Sequence, residues 1–186
     1  VWGDAEGDNG YAVDIKKLYD NVMNRYKYGG LDTPGLYLDE TTLRTCYYHR
    51  RLFAQLAKEL IKQGDHVRAR KVLTYAEQAV PAYNVPEIYE SGSFDIATAY
   101  AALGEKTKAV TLFNHLIAES EDYINWAFSL GNGRTGMMQN DCLYKFWQWN
   151  AYNERMKEID KESYEASNRR FEEKYALFTQ IINNRN

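Results

Sequence analysis

Two glycines forty residues apart, Gly64 and Gly104, constrain this chain more than any other feature. Each closes one amphipathic run and opens another, and aligning the two superposes what surrounds them. Phe53-x-x-Leu56-Ala57-x-x-Leu60 falls over Ser93-x-x-Ile96-Ala97-x-x-Tyr100, Ala69-x-x-x-Leu73 over Ala109-x-x-x-Phe113, and Ala76 over Leu116. This is the spacing of the tetratricopeptide repeat. Bulky residues make a ridge on the first helix, and a small residue stands where the helix axes come closest. Glycine ends the first helix in a left-handed conformation, and alanine keeps the second helix near. Pro81 stops the first pair. The second copy departs in two places: Ser93 replaces the aromatic residue, and Glu121 stands where a proline is expected. The period exceeds the usual ~34 residues by about six, and "AYNVPE" is the segment that accommodates them.

The flanks are also helical in pattern. Asp14 is placed to cap a first helix whose apolar positions, Ile15, Leu18, Tyr19, Val22, Met23 and Tyr26, share one face. Gly29-Gly30 ends it, and Asp39 caps the next helix. "EDYINWAFSL" reads as a short helix and "GNGRTG" as a loop. Between Asp141 and Ile182 there is neither glycine nor proline. Trp149, Tyr152, Met156, Ile159, Tyr164, Phe171, Tyr175, Phe178 and Ile182 recur there at the helical period. One helix, or two with a break near Ser163, fits equally. An amphipathic terminal helix is what a short solenoid needs to cover its open end. The expected fold is all-α, a tetratricopeptide-like array of about two helical hairpins with an N-terminal helix and a long C-terminal capping helix. Its expected divisions are 1–13, a disordered or loosely attached N-terminus; 14–130, the helical domain; 131–136, a loop; and 137–186, the cap.

Charge and motifs narrow the function classes. A net charge of −3 and a pI near 5.7 leave no basic stripe for nucleic acid. No apolar run approaches the ~20 residues of a membrane span. The chain starts at Val1 without an initiator Met or a signal pattern, so it is expected to be a piece or a processed product of a longer protein. "GNGRTG" matches a dinucleotide fingerprint by letter, but that site needs a strand before it. "DAEGDNG" alternates acids like a calcium loop, yet Ile15 falls where the bidentate glutamate belongs. His49, His66 and His115 are scattered, and neither Cys46 nor Cys142 has a ligand-spaced neighbour. The cysteines are expected as small packed residues, with their pairing left open. No catalytic residue, metal or cofactor is expected.

Two surfaces remain as binding candidates. Beside the packing ridge of the repeat helices, Arg51, Lys58, Phe94 and Thr98 would line a small groove suited to an acidic or extended peptide. In "LYKFWQWNAYN" the aromatics span too wide an arc to point inward together, so Tyr144, Trp147 and Trp149 are candidates for an exposed aromatic surface.

"LYDNVMNRYKYGG", followed by "GLYLDETTLRTCYYHRRLFAQLAKELIKQGDHVRARKVL", resembles the soluble C-terminal portion of a bacterial family of multi-spanning membrane proteins of unknown function. That family is similar to protein O-mannosyltransferases and has a glycosyltransferase C-type membrane body. The match rests on Asn21, Met23, Tyr26, Tyr28, Gly29, Gly30, Tyr37 and Asp39, with the repeat helices behind them, and covers residues 14 to 120. The resemblance implies a segment on the extracytoplasmic (periplasmic) face of a membrane glycosyltransferase-like parent. The family's catalytic acids lie in membrane-proximal loops near its N-terminus, so none is carried onto this chain. The function expected is therefore a non-catalytic accessory domain for protein interaction or structural support. Its partner would be a polypeptide, including the membrane portion of its own parent. The alternative is a glycan- or polypeptide-acceptor-binding module that uses exposed aromatics.

Overall fold

The computed structural model describes residues 2–3 and 12–183. These are all-α apart from a two-residue antiparallel pairing of β1 (Trp2–Gly3) with β2 (Ala12–Val13). The terminus expected to be loose thus has paired backbone at both its ends. The acidic run 4–10, considered above as a calcium loop, lies outside the described residues. The chain divides into two compact units, residues 1–104 and 105–186, not at the boundary near 130 that the repeat pattern suggests.

In the first unit, Asp14 caps α1 (Ile15–Asp20) by accepting from the Lys17 amide at 2.9 Å. The helix continues into a π-helical turn, Asn21–Arg25, that ends at Tyr26. An irregular segment leads to Asp39, whose carboxylate accepts from the Thr41 and Thr42 amides at the start of α2 (Glu40–Lys62). Then come α3 (His66–Ala79), a 3-10 turn at Tyr89–Ser91 and α4 (Ser93–Ala102). α2 packs against both α3 and α4. Its buried stripe of Phe53, Leu56, Ala57 and Leu60 meets Ala69, Val72, Leu73 and Ala76 of α3, and Ile96, Ala97 and Tyr100 of α4 are buried as well. Apart from the two corner glycines, which are exposed, every position picked out by the repeat alignment in this unit is a core position. Arg70 of α3 donates to the Leu103 carbonyl at 2.8 Å, filling one of the acceptors that the end of α4 leaves open.

The second unit is a three-helix bundle of α5 (Lys106–Ser129), α7 (Gln139–Ile159) and α8 (Lys161–Asn183), with the short α6 (Asn132–Met137) between the first two. Lys106 lies 3.8 Å from Asp160, and Lys145 lies 2.9 Å from Glu119, so α5 and α7 run antiparallel. α8 returns alongside, with Arg170 on Glu121 and Lys174 on Asn125. Three expectations change here. "EDYINWAFSL" is no separate helix; it is the second half of α5, which nothing interrupts because Glu121 stands where a proline would stop it. The run 131–136, expected as a loop, is almost wholly α6. Thr135 is buried there, and its hydroxyl donates to the Ala127 and Gly131 carbonyls, tying the turn to α5. Finally, 141–183 is two helices, broken at Asp160 rather than near Ser163. Asp160 takes an extended conformation (φ −147°, ψ 96°) and its carbonyl accepts from Tyr164, the position of an N-cap.

The two glycine corners match residue by residue. Gln63 and Leu103 lie at φ/ψ −81°/−2° and −84°/−2°; Gly64 and Gly104 at φ +75° and +77°; Asp65 and Glu105 at −86°/68° and −83°/61°. A Cβ at either glycine would meet nothing within 4 Å, so the demand is conformational and not steric. Gly64→Ala and Gly104→Ala are each expected to cost about 1–2 kcal/mol in urea unfolding. Gly133→Ala, in α6 with open space around it and no left-handed φ, serves as the control and should stabilise by up to about 1 kcal/mol. Equal, negligible costs at all three positions would remove the corners from the folding argument.

A candidate functional site beneath two braced loops

Two irregular segments of the first unit, 26–39 and 80–92, hold each other in place. Asn84 is the main tie: its amide nitrogen donates to the Leu31 and Thr33 carbonyls at 2.7 and 2.6 Å, and its oxygen accepts from the Leu36 amide at 3.2 Å. The Tyr83 hydroxyl donates to the Asp32 carbonyl at 2.7 Å. The second segment is fixed in turn from α2. Arg50, only 4% exposed, donates to the carbonyls of Val80 (2.9 Å), Val85 (2.7 Å) and Pro86 (2.7 Å) and to the Ser91 hydroxyl (3.0 Å). Burial pulls its pKa down to about 10, which still leaves it charged at neutral pH. Long loops without secondary structure are uncommon in compact domains, and those kept in order by dedicated hydrogen bonds are more often functional.

Where the first of these segments leaves the π-helical turn, it frames a solvent-open pocket of about 480 Å³. Tyr28 and Tyr75 form its aromatic side, their rings meeting edge to face at 6.0 Å and 76°. The Tyr28 hydroxyl donates to the Val22 carbonyl at 2.8 Å, which fixes that ring; burial pushes its pKa upward. Asn24, Lys27, Asp32 and Gln78 supply polar groups. π-Helical turns recur at functional sites because the wider turn re-aims side chains, and this one delivers Met23 and Asn24 to the pocket.

Behind Tyr28 lies His49, ringed by Tyr26 (5.8 Å), Tyr28 (5.5 Å) and Tyr48 (6.3 Å). Its buried Nδ1 makes no hydrogen bond among the described residues. Burial lowers its pKa below the ordinary 6.5. The unfolded chain therefore takes up a proton near pH 6.5 before the folded chain does, and stability is expected to fall as the pH drops through and below that value. Burial raises the Asp95 carboxyl above its ordinary 3.8 in spite of Lys58, so Asp95 acts with the opposite sign, its contribution growing as the pH falls toward 3.8. Urea unfolding between pH 7 and 5 should give a shallower loss for His49→Phe than for the parent protein, and identical slopes would exclude His49 as the source.

The pocket gathers much of the segment that carries the family resemblance. Met23, Tyr26, Tyr28, Gly29 and Gly30 all line it. Tyr37 instead stands 88% exposed, Asp39 is a helix cap, and the Asn21 carbonyl accepts from the Tyr26 amide to close the π-helical turn. Sequence patterns pass over Asp32, Tyr75, Gln78, Tyr83 and Asn84, and only the Pro81–Pro86 interval marks the brace as a turn.

The groove candidates fall on two helices that pack together, α2 and α4. Arg51 and Lys58 are exposed on α2, and Phe94 and Thr98 are half-buried on α4, the Thr98 hydroxyl donating to the Phe94 carbonyl. Burial raises the pKa of the Asp95 carboxyl on α4, and Lys58 acts against that rise. Arg51 packs under Gly92, where an added Cβ would come within 2.6 Å of its Cγ. Of the aromatic candidates, Tyr144 and Trp147 are 44% and 52% exposed and stack at 5.8 Å with their planes 10° apart. Trp149 is corrected: it is fully buried, its indole N–H donating to the Ser167 hydroxyl at 2.8 Å. Trp126, which the pattern overlooked, is 51% exposed beside Tyr123. Cys46 and Cys142 are both buried free thiols whose pKa burial raises.

Among the described residues there is no cluster of three or more metal-ligating side chains, and no helix is long and apolar enough to cross a membrane. The chain matches no protein-family model, no curated protein and no solved structure.

Proposed function

We propose that this segment is a non-catalytic accessory domain that engages a polypeptide partner through the braced loops of its first unit. The observation that carries this reading is the brace itself. Asn84, Tyr83 and Arg50 hold two long loops in one conformation, so a partner would meet them without paying for their ordering. The matching glycine corners, together with buried residues at the aligned positions, support a tetratricopeptide-like origin for the α2–α3 hairpin and for the corner that follows α4. From the resemblance at Asn21–Asp39 we take the setting: the extracytoplasmic side of a membrane glycosyltransferase-like parent, whose own membrane portion is one candidate partner.

A photo-crosslinker placed at Gln78 or Asp32 in the parent protein in its membrane should yield a discrete polypeptide adduct. The same probe at Glu172, on the exposed side of α8, should not. No adduct from either Gln78 or Asp32, or equal adducts from all three positions, would sink the proposal. The second reading, a glycan or polypeptide acceptor held by exposed aromatics, draws on the Tyr144–Trp147 stack. It expects a change in tryptophan fluorescence on glycan titration that Trp147→Phe abolishes.

A further inference from the structure

We propose that the pocket lined by Tyr28 and Tyr75 is a binding site for a neutral saccharide, a pyranose unit presented at the surface of a larger ligand. The inference rests on the reading above only in taking the braced loops as a binding face, and it goes beyond it by naming the chemistry recognised there.

The volume of about 480 Å³ lies within the ~300–1,000 Å³ of small-ligand sites. Its composition then decides between ligand classes. A quaternary or alkylated ammonium is held where aromatic faces enclose it and no other cation competes. Tyr28 and Tyr75 instead meet edge to face, 6.0 Å between centroids, so they enclose no cation between them, and Lys27 in the same lining repels one. A phosphate or carboxylate ligand needs an excess of positive charge. Among the described residues Lys27 is the one cationic side chain lining the pocket, and Asp32 lines it too with the opposite charge. A purely apolar ligand would leave both charges and two amides facing it. What remains is a ligand with an apolar face and a perimeter of neutral hydroxyls, which is the chemistry of a pyranose ring. Its C–H face packs on tyrosine, and its hydroxyls each donate and accept.

The polar groups suit that perimeter. Gln78 and Asp32 have side chains with no hydrogen-bonding partner among the described residues, so an amide and a carboxylate are both available to adjacent hydroxyls. Asn24 donates its Nδ2 to Asp20 at 3.1 Å, which leaves its oxygen as an acceptor. The aromatic side needs no rearrangement, because the Tyr28 hydroxyl is already anchored on the Val22 carbonyl.

The test is an amide-resolved NMR titration of the 186-residue chain with methyl pyranosides of gluco, manno and galacto configuration, and with tetramethylammonium and inorganic phosphate as competing chemistries. A single sugar ring should bind with roughly millimolar affinity. At least one pyranoside is expected to shift Asn24, Gly29, Gly30 and Gln78. The exposed-residue variants Gln78→Ala and Asp32→Ala, which leave the core untouched, should each weaken binding roughly fivefold. Silence of every pyranoside up to about 100 mM would overturn the proposal. So would shifts confined to Tyr144 and Trp147, or a response only to tetramethylammonium or to phosphate. A crosslinked polypeptide at Gln78 combined with sugar silence would remove the saccharide and keep the partner. Sugar binding without an adduct would do the reverse.

Discussion

Replacing Arg50 with methionine is expected to cost about 3–5 kcal/mol of stability. The reason is arithmetic of acceptors, not of charge. The guanidinium is buried at the centre of the 80–92 segment and satisfies three carbonyls and one hydroxyl from positions 30 to 41 residues away. Methionine fills similar volume but donates nothing, so the Val80 and Val85 carbonyls would be left dry and unpaired, at about 1–3 kcal/mol each. Arg50→Lys should recover little, because one ammonium cannot reach four acceptors arranged around a planar fork. Urea unfolding gives the magnitude. Amide exchange gives the location, with Asn84 and Val85, both bonded to the Pro81 carbonyl, losing protection first. A loss below about 1 kcal/mol would show that the segment orders itself without the arginine.

The second large effect belongs to the other unit. Trp149→Ala is expected to cost about 4 kcal/mol, and Trp149→Phe about 2. The indole is fully buried against Phe171 at 5.7 Å, and its N–H begins a short chain: Trp149 donates to Ser167, which donates to the Asn153 oxygen at 2.6 Å. Phenylalanine keeps most of the apolar contact but leaves the Ser167 oxygen without its donor. Trp147→Ala, two residues earlier and half exposed, should change stability by less than about 0.5 kcal/mol. Fluorescence separates them independently of stability: Trp149→Phe should remove the component that acrylamide does not quench, and Trp147→Phe a quenchable one. The reverse assignment would invert the burial described here and return Trp149 to the aromatic surface.

That contrast shows where sequence patterns reach and where they stop. The helical period identifies Trp149 correctly as a member of an apolar face, and the spacing of the aromatics of 143–153 shows that they cannot all be buried. Which tryptophan turns inward is set by Ser167 and Phe171, eighteen and twenty-two residues later on another helix. The break at Asp160 is similar. A residue that is neither glycine nor proline ends α7 because folding back buries Phe146 against Phe171 and Phe178. No local propensity records that gain.

Local interactions made much of the secondary structure legible. Asp14 and Asp39 cap as their spacing predicts, since a cap reaches only two or three residues along the chain. Gly64 and Gly104 end helices in the left-handed region, where other residues are strained, and Leu56, Leu60, Ala69 and Leu73 are buried as their period requires. The candidate site was legible only in part, through the Tyr26–Gly30 turn. Its other wall comes from Tyr75 and Gln78, and its brace from Asn84 and Arg50, partners brought together across tens of residues. The chain's own periodicity and capping chemistry thus determined the all-α class and the positions of most helices, because those energies are local. Only the tertiary structure decided the partition into two units, the inward turn of Trp149 and the pocket, because each depends on a contact that exists only once distant segments have met.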